Sequence, residues 1–473
     1  MPGDPSLTVA RLSTAVPLPL VEQITGFVRT RIDERLLRAG TRMPSIRRFA
    51  ADNGVSRFTV VEAYDRLVAQ GYLESRRGSG FYVRERPQPV RHTEPEQPPG
   101  TRIDVAWLLR HLYAGNTRPE VLLAGSGCLP GSWLDEAMLQ SGLRTLSRRA
   151  PSALTSYGTP QGYAPLRELL QVHLAELEIR AVPENIVLTA GASQALDLVA
   201  RYFLQPGDAV LVDDPGYYVL FGLLAAMGMR LVGVPRTADG LDVARLEALV
   251  TTHRPKLFMT NSVLHNPSGT SLSAATAFRL LRLAEAHDFH ILEDDVYGDL
   301  HPGRAHRIAA LDQLHRVIYV GSFSKTLGAG LRVGFLAAQR DLARDLADQK
   351  MLASLTTPEL GERLTFQVLA EGYYRKHVEH VRTQLARALE PSIRNLERAG
   401  LTLFHEPAAG MFLWARAGVH DDAEALAARA QGEGIILAPG SLFSPTQARS
   451  PWMRFHVAYA GAPKLARFFD ALR

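Results

Sequence analysis

The apolar positions of the chain fall into three regimes. From Leu20 to about Leu37 they recur at Ile24, Phe27, Val28, Ile32, Leu36 and Leu37, the spacing of a helix that buries one stripe. "AGTRMPS" interrupts the pattern. Ser45 can then cap a short helix through Ala51, "NGV" turns the chain, and Ser56 can cap a further helix to about Ala69. Val55, Val60, Ala63, Tyr64 and Leu67 are the expected buried side. Two helices joined by a short turn containing Gly54 match helix-turn-helix geometry, and "YLES" and "GFYVRE" flanking "RRGSG" read as a hairpin wing.

The second regime, "ERPQPVRHTEPEQPPG" over residues 85–100, holds five prolines and almost no apolar residue, so it cannot fold alone. Extended at about 3.1 Å per residue, it reaches roughly 50 Å. In the third regime, short apolar runs ("NIVLTAG", "DAVLVDDPG", "KLFMTNS", "FHILEDD", "RVIYVGS") alternate with helical stretches such as "SQALDLVARYFL" and "AATAFRLLRLAEAH". Strands that are apolar throughout predict a mostly parallel sheet covered on both faces, hence an α/β domain. The expected organisation is a winged helix-turn-helix over residues 1–84, a linker over 85–104 and an α/β domain over 105–473.

Composition changes this picture little. With 473 residues, 46% hydrophobic and 21% charged, the chain can build two or three cores. It has no basic-then-apolar leader at its start and no run of 18 apolar residues, which disfavours export and membrane spanning and makes the cytoplasm the expected compartment. A lone Cys128 allows no intrachain disulfide and no cysteine-based zinc site; no metal is expected, and the residue reads most simply as a small buried hydrophobe. Charge is more telling. Residues 1–84 carry 13 arginines, no lysine and 8 acidic residues, and that excess accounts for the whole formal net charge of +5. Beside a helix-turn-helix pattern it becomes a surface for phosphates.

A helix entering the major groove needs polar groups at its N-terminal end, where Ser56, Arg57 and Thr59 stand. Arg47 and Arg48 before it, and Arg76 and Arg77 at the wing, can flank the phosphates; plain solvation of each arginine is the simpler alternative, as is a protein-binding role for the module. "MPSIRRFAADNGVSRFTVVEAYDRLVAQGYLESRRGSGFYV" resembles the winged helix of the GntR family of bacterial regulators over about residues 18–84. That resemblance puts Arg47, Ser56, Arg57, Thr59, Arg77 and Gly78 at DNA-contacting positions. Phe58 stands where the family often has a polar residue.

In open α/β sheets ligands sit beyond the carboxyl ends of the strands. "TAGASQALDL" places Gly191, Ala192 and Ser193 between a strand and a helix, where backbone N–H groups can bind a phosphate, although many such turns look alike. Asp294 ends an apolar strand in "HILEDDVYGDL", with Tyr297 three positions on. Asn266 in "HNPSGT" reads equally as an Asn-Pro turn. Lys325 in "VGSFSKTLGAGLRVGF" lies among Ser322, Ser324, Gly328 and Gly330, small neighbours that let a ring and phosphate approach, and Arg332 follows seven residues on.

"YGTPQG", "GASQAL", "DDPGYY", "HNPSG", "EDDVY", "SFSKTLGAGLRVGF" and "MRFHVA" occur in the order of fold-type I, pyridoxal-phosphate-dependent aminotransferases, over about residues 115–473. The resemblance implies a smaller C-terminal α+β subdomain and bound pyridoxal 5'-phosphate. It further implies that Lys325 forms the Schiff base, that Asp294 pairs with the pyridine nitrogen, and that Asn266 and Tyr297 face the phenolic oxygen. Tyr217 would stack on the ring. Ala192, Ser193, Ser322, Ser324 and Arg332 would hold the phosphate, with Tyr157 reaching it from a partner subunit, and Arg454 would grip a substrate carboxylate.

A GntR-type winged helix joined to such a domain resembles the MocR family of transcriptional regulators. Membership implies a DNA operator, a small amino-compound or vitamer effector sensed as an aldimine, and a domain-swapped head-to-tail homodimer in the bacterial cytoplasm, at the nucleoid when bound to DNA. Many of those regulators replace the asparagine of "HNPSG", whereas this chain keeps Asn266 and the rest of the catalytic set. An active aminotransferase carrying a DNA-binding domain and a sensor of pyridoxal phosphate itself are the alternatives. The effector stays open among γ-amino acids, α-amino acids and polyamine-derived acids.

Overall fold

The computed structural model describes residues 18–85, 120–149, 155–417 and 422–472. The chain divides into two compact units, Met1–Pro99 and Gly100–Arg473, each described here by itself. Residues 86–104 of the expected linker lie outside the described residues.

In the first unit, α1 (Leu20–Asp33) buries Ile24 and Val28 against α3 (Arg57–Ala69), whose Val60, Ala63, Tyr64 and Leu67 are fully buried. The α1 helix is four residues shorter than its apolar spacing predicts. The chain leaves it at Glu34, Arg35 takes the left-handed conformation (φ 62°), and Leu36 turns outward while Leu37 still reaches the core. Spacing followed the buried residues past the point where the backbone stops being helical. Between them, α2 (Ile46–Asn53) starts at Ser45, whose hydroxyl accepts the Arg48 N–H, and ends at Gly54 with φ 63°, a conformation that glycine adopts freely. Strands β1 (Leu73–Arg76) and β2 (Gly80–Val83) pair antiparallel from Leu73↔Val83 to Arg76↔Gly80, the expected wing, with Arg77 and Gly78 at its tip. Tyr64 links these layers: its ring meets Phe49 at 5.7 Å and Phe81 at 5.1 Å, both edge-on.

The second unit is built on an eight-stranded sheet of β3 (Ile186–Thr189), β4 (Ala209–Asp214), β5 (Arg230–Thr237), β6 (Gly240–Leu241), β7 (Leu257–Thr260), β8 (His290–Asp294), β9 (Val317–Ser322) and β10 (Gly334–Ala337). Their order is β3-β10-β9-β8-β7-β4-β5-β6. The five strands from β9 to β5 run parallel, whereas β10 pairs antiparallel with both β3 and β9, and β6 with β5. Alternate strand residues enter different cores: Leu211, Phe258 and Ile291 one, Val210, Val212, Leu257, Met259 and Leu292 the other. Burial on both faces explains the continuous apolar runs.

Helix α4 (Ala192–Phe203) follows β3 directly, and α5 (Arg340–Ser354) follows β10. The chain then passes through the long helix α6 (Tyr373–Arg398) into a smaller antiparallel sheet of β11 (Leu401–Leu403), β12 (Phe412–Ala417), β13 (Ala438–Pro439) and β14 (Trp452–His456), ordered β11-β12-β14-β13. This is the expected α+β subdomain, with its own core around Phe412, Leu413, Met453 and Phe455. Among the described residues, no helix is long and apolar enough to cross a membrane.

Candidate active site and nucleic-acid interface

At the carboxyl ends of the parallel strands lies a cleft of about 520 Å³, including space open to solvent, lined by Ala192, Ser193, Tyr217, Asn261, Asn266, Asp294, Val296, Tyr297, Ser322, Ser324, Lys325 and Arg332. Residues that the sequence scatters over 141 positions therefore line one wall. Tyr157 does not join them: it is 81% exposed and outside the cleft lining of this chain.

One end of the cleft brings hydrogen-bond donors and a cation together. Gly191 carries φ 76° as the chain turns into α4, and a Cβ there would sit 2.6 Å from Arg332 Nη2, so the guanidinium packs on the glycine face. Arg332 Nη2 donates to Ala190 O at 2.8 Å and Nη1 to Ser324 Oγ at 3.5 Å, while Ser322 Oγ donates to Ser324 Oγ at 3.1 Å. A helix N-terminus, hydroxyls and one guanidinium thus converge.

The other end holds a half-buried acid. Asp294, at the end of β8, receives the Val296 N–H at 3.3 Å and makes no ion pair among the described residues. Burial, reinforced by Asp295 and Asp213 and opposed by the Val296 N–H and Lys325, raises its carboxyl to about 7. Between the two ends, Lys325 Nζ donates to Gly127 O at 2.8 Å and lies 3.8 Å from Cys128 Sγ. Cys128 is half-buried, not the enclosed apolar residue that its isolation in the sequence suggests.

A pH dependence follows for protein stripped of any ligand. A carboxyl whose folded pKa lies above its unfolded value contributes stability below about pH 4 that is lost as pH rises toward 7. An Asp294→Asn variant escapes this loss. Its melting temperature will gain on the parent between pH 4 and 7, by the equivalent of about 2–4 kcal/mol, then stay level. A pH-independent difference would show that the carboxyl is ionised throughout.

Arg454 on β14 is 1% exposed. Its Nη1 donates to Asn266 Oδ1 at 2.8 Å and its Nη2 to Gly125 O at 2.7 Å, both uncharged acceptors, and its buried Nε has no partner among the described residues. The rings of Phe412 and Phe443 face it at 4.7 and 4.9 Å. Among the described residues this buried cation has no carboxylate counterion, and it is outside the cleft lining. The chain of bonds continues from Asn266 Nδ2 to Tyr297 OH at 3.2 Å, and burial holds the Tyr297 phenol well above its ordinary pKa.

Sequence reasoning missed Asn261. Its Oδ1 accepts the Asn266 N–H at 2.8 Å, its Nδ2 donates to Asp294 O at 2.6 Å, and its own N–H donates to Asp213 Oδ2 at 2.9 Å. Asp213 also contacts Arg236 at 3.3 Å and Thr260 Oγ1 at 3.0 Å. Burial alone would raise Asp213; Arg236 and His265 overcome it and hold the carboxylate ionised. This network, under the ends of β4 and β7, fixes Asn266 and Asp294 relative to each other. An asparagine just after a strand is too common to mark it.

In the first unit, Ser56 Oγ accepts the Thr59 N–H at 3.0 Å and pairs with Thr59 Oγ1 at 2.8 Å. Arg48 pairs with Asp52, Arg66 with Glu62 and Arg76 with Glu74. Arg47, Arg57 and Arg77 are exposed and make no ion pair among the described residues. These three stand at the start of α2, the start of α3 and the wing tip, and Arg29, Arg35, Arg38, Arg42 and Arg84 are likewise exposed without an ion pair among the described residues.

Residues 121–472 match the family described as aminotransferase class I and II, and residues 20–83 match the bacterial regulatory proteins of the gntR family. The chain is 31% identical over 454 residues to the HTH-type transcriptional regulator TauR of Rhodobacter capsulatus, covering 92% of this chain and 93% of that one. It is 33% identical over 344 residues to 2-aminoadipate transaminase of Thermus thermophilus, covering 71% and 85%. Among solved structures, the α-aminoadipate aminotransferase LysN of Thermus thermophilus, complexed with N-(5'-phosphopyridoxyl)-L-leucine, is similar with a TM-score of 0.70 at 27% identity, covering 77% of this chain and 94% of that one.

Proposed function

Because the chain belongs to the aminotransferase class I and II family and carries a gntR-family regulatory domain at its N-terminus, we propose that it is a transcriptional regulator that binds pyridoxal 5'-phosphate and answers to a carboxylated amino compound. The observation that carries this is the union, in one chain, of a helix-turn-helix unit whose Arg47, Arg57 and Arg77 make no ion pair among the described residues and a cleft lined by an anion cradle, an amine and a half-buried carboxyl. Likeness to TauR over almost its whole length supports it. The boundaries proposed are residues 1–84, 85–104 and 105–473, in a cytoplasmic homodimer where Tyr157 serves the partner's site.

The residues fit the cofactor. Ala192, Ser193, Ser322, Ser324 and Arg332 would hold its phosphate and Tyr217 would lie on its ring. The Asp294 carboxyl would hold the proton of the ring nitrogen. Pyridoxal phosphate supplies an aldehyde that captures amines and a ring that withdraws electrons from the carbon beside the captured nitrogen. Lys325 Nζ supplies the amine that holds the cofactor and the group that can carry a proton to or from that carbon. Asn266 Nδ2 and Tyr297 OH offer hydrogen bonds to the phenolic oxygen, and Arg454 binds the effector carboxylate, gaining the counterion that it lacks among the described residues. For a switch, the effector must bind one arrangement of the protein better than another.

A second reading, aminotransferase activity, is favoured by the retention of Lys325, Asp294, Tyr297, Asn266, Arg332 and Arg454 together. A titration with amino compounds, followed by visible absorbance, operator binding and released keto or aldehyde product, separates the two. A spectral change with altered DNA affinity and no product supports the regulator; stoichiometric product without any effect on DNA would overturn it. In the same assay Arg454→Lys keeps the charge but loses the planar fork. It will weaken carboxylated amines about ten- to hundredfold and leave amines lacking a carboxylate unchanged. Equal losses for both classes would remove Arg454 from the carboxylate site.

A further inference from the structure

We propose that Phe58 reads the 5-methyl group of a thymine in the major groove and so sets the base preference of the chain; this rests on the DNA-binding reading above. The apolar residues Val60, Ala63, Tyr64 and Leu67 of α3 are fully buried, yet Phe58, the second residue of the same helix, is 77% exposed. Its ring stacks on no other aromatic ring among the described residues. An aromatic placed so far from the core adds nothing to the stability of the unit.

Its neighbours narrow what it faces. Ser56 and Thr59 satisfy each other through the cap and the hydroxyl pair, which leaves Arg57 and Phe58 as the free side chains of the first turn. That turn therefore presents one cation and one apolar ring, in a segment where 13 arginines outweigh 8 acidic residues. The charge selects a polyanion. On the major-groove edge of a duplex the thymine methyl is the one bulky apolar group among hydrogen-bond donors, acceptors and bare C–H groups, and so the partner that a phenyl ring can best bury. Arg57 would anchor the turn to phosphate or guanine while Phe58 distinguishes thymine from the other bases.

The test uses the full-length chain, its Phe58→Ala and Phe58→Leu variants, and selection from a random duplex library. The parent will select sites with a fixed thymine in each half-site. Replacing that thymine by deoxyuridine, which removes only the methyl group, will weaken the parent about fourfold per half-site and leave Phe58→Ala unaffected. Phe58→Leu will restore part of the discrimination. If parent and Phe58→Ala select the same sites and lose equally with deoxyuridine, the proposal is overturned, and Phe58 serves contacts within the protein. If no variant and no parent selects any duplex, the DNA-binding reading fails with it.

Discussion

A Lys325→Ala chain will emerge from purification without covalently held pyridoxal phosphate. Borohydride treatment, which will tag the parent on the peptide containing Lys325, will leave the variant untagged. Lys325 is the only lysine lining the cleft among the described residues, on the turn that follows β9, and its ammonium is held toward the interior by Gly127 O. The chain contains a rival. Lys350 on α5 is fully buried, and burial lowers its ammonium to about 8, a value at which a lysine is a competent nucleophile at neutral pH. Yet it is spent on Leu188 O at 2.6 Å and Thr357 Oγ1 at 3.1 Å, and it does not line the cleft. The location of the tag therefore discriminates. A tag on the Lys350 peptide, or a variant that stays coloured and responsive, would refute the assignment of Lys325. The expected loss of effector response is complete, because the variant lacks the amine that the effector displaces.

Arg57→Ala will weaken operator binding about ten- to hundredfold at physiological salt while leaving the visible spectrum and the amine titration unchanged. If the contact is to phosphate, the loss will be similar for all duplexes and the salt dependence will shallow by about one counterion. If it is to guanine, the loss will concentrate on the selected site. Unaltered affinity for every duplex would remove α3 from the groove. Arg48→Ala is the control: its side chain pairs with Asp52 and is expected to cost little.

The residues most legible in the sequence were those on strand ends. Asp294 and Ser322 close runs of apolar residues, and a polar group there has few places to point but the cleft. Lys325 was legible from its small neighbours. The winged unit was legible nearly residue by residue, since Ser45, Gly54 and Ser56 each perform a local task that only a few residue types can perform. Other features have no local cause. The antiparallel direction of β10 arises from the short return through Arg332, and an apolar strand of four residues carries no record of direction. The union of Asp213, Arg236 and His265 joins two strands of the sheet and the loop after β7. Gly125 and Gly127 contribute carbonyl oxygens, which every residue has, so nothing in their identity announced that they would meet Arg454 and Lys325.

Those two carbonyls give the cleft a threshold. A carboxylate that takes Arg454 Nη2 must displace or share an oxygen of Gly125, and any aldehyde that takes Lys325 must release it from Gly127. Binding then yields only the difference between a foreign contact and a native one, which sets a floor on the concentration at which a ligand registers. Trace amounts go unheard. Because the competitor is main chain, no exchange of side chains elsewhere in the cleft removes it, and a Cβ at Gly125 would collide with Ala438 N, so drift in the sequence can retune which molecule is heard more easily than how much of it is needed.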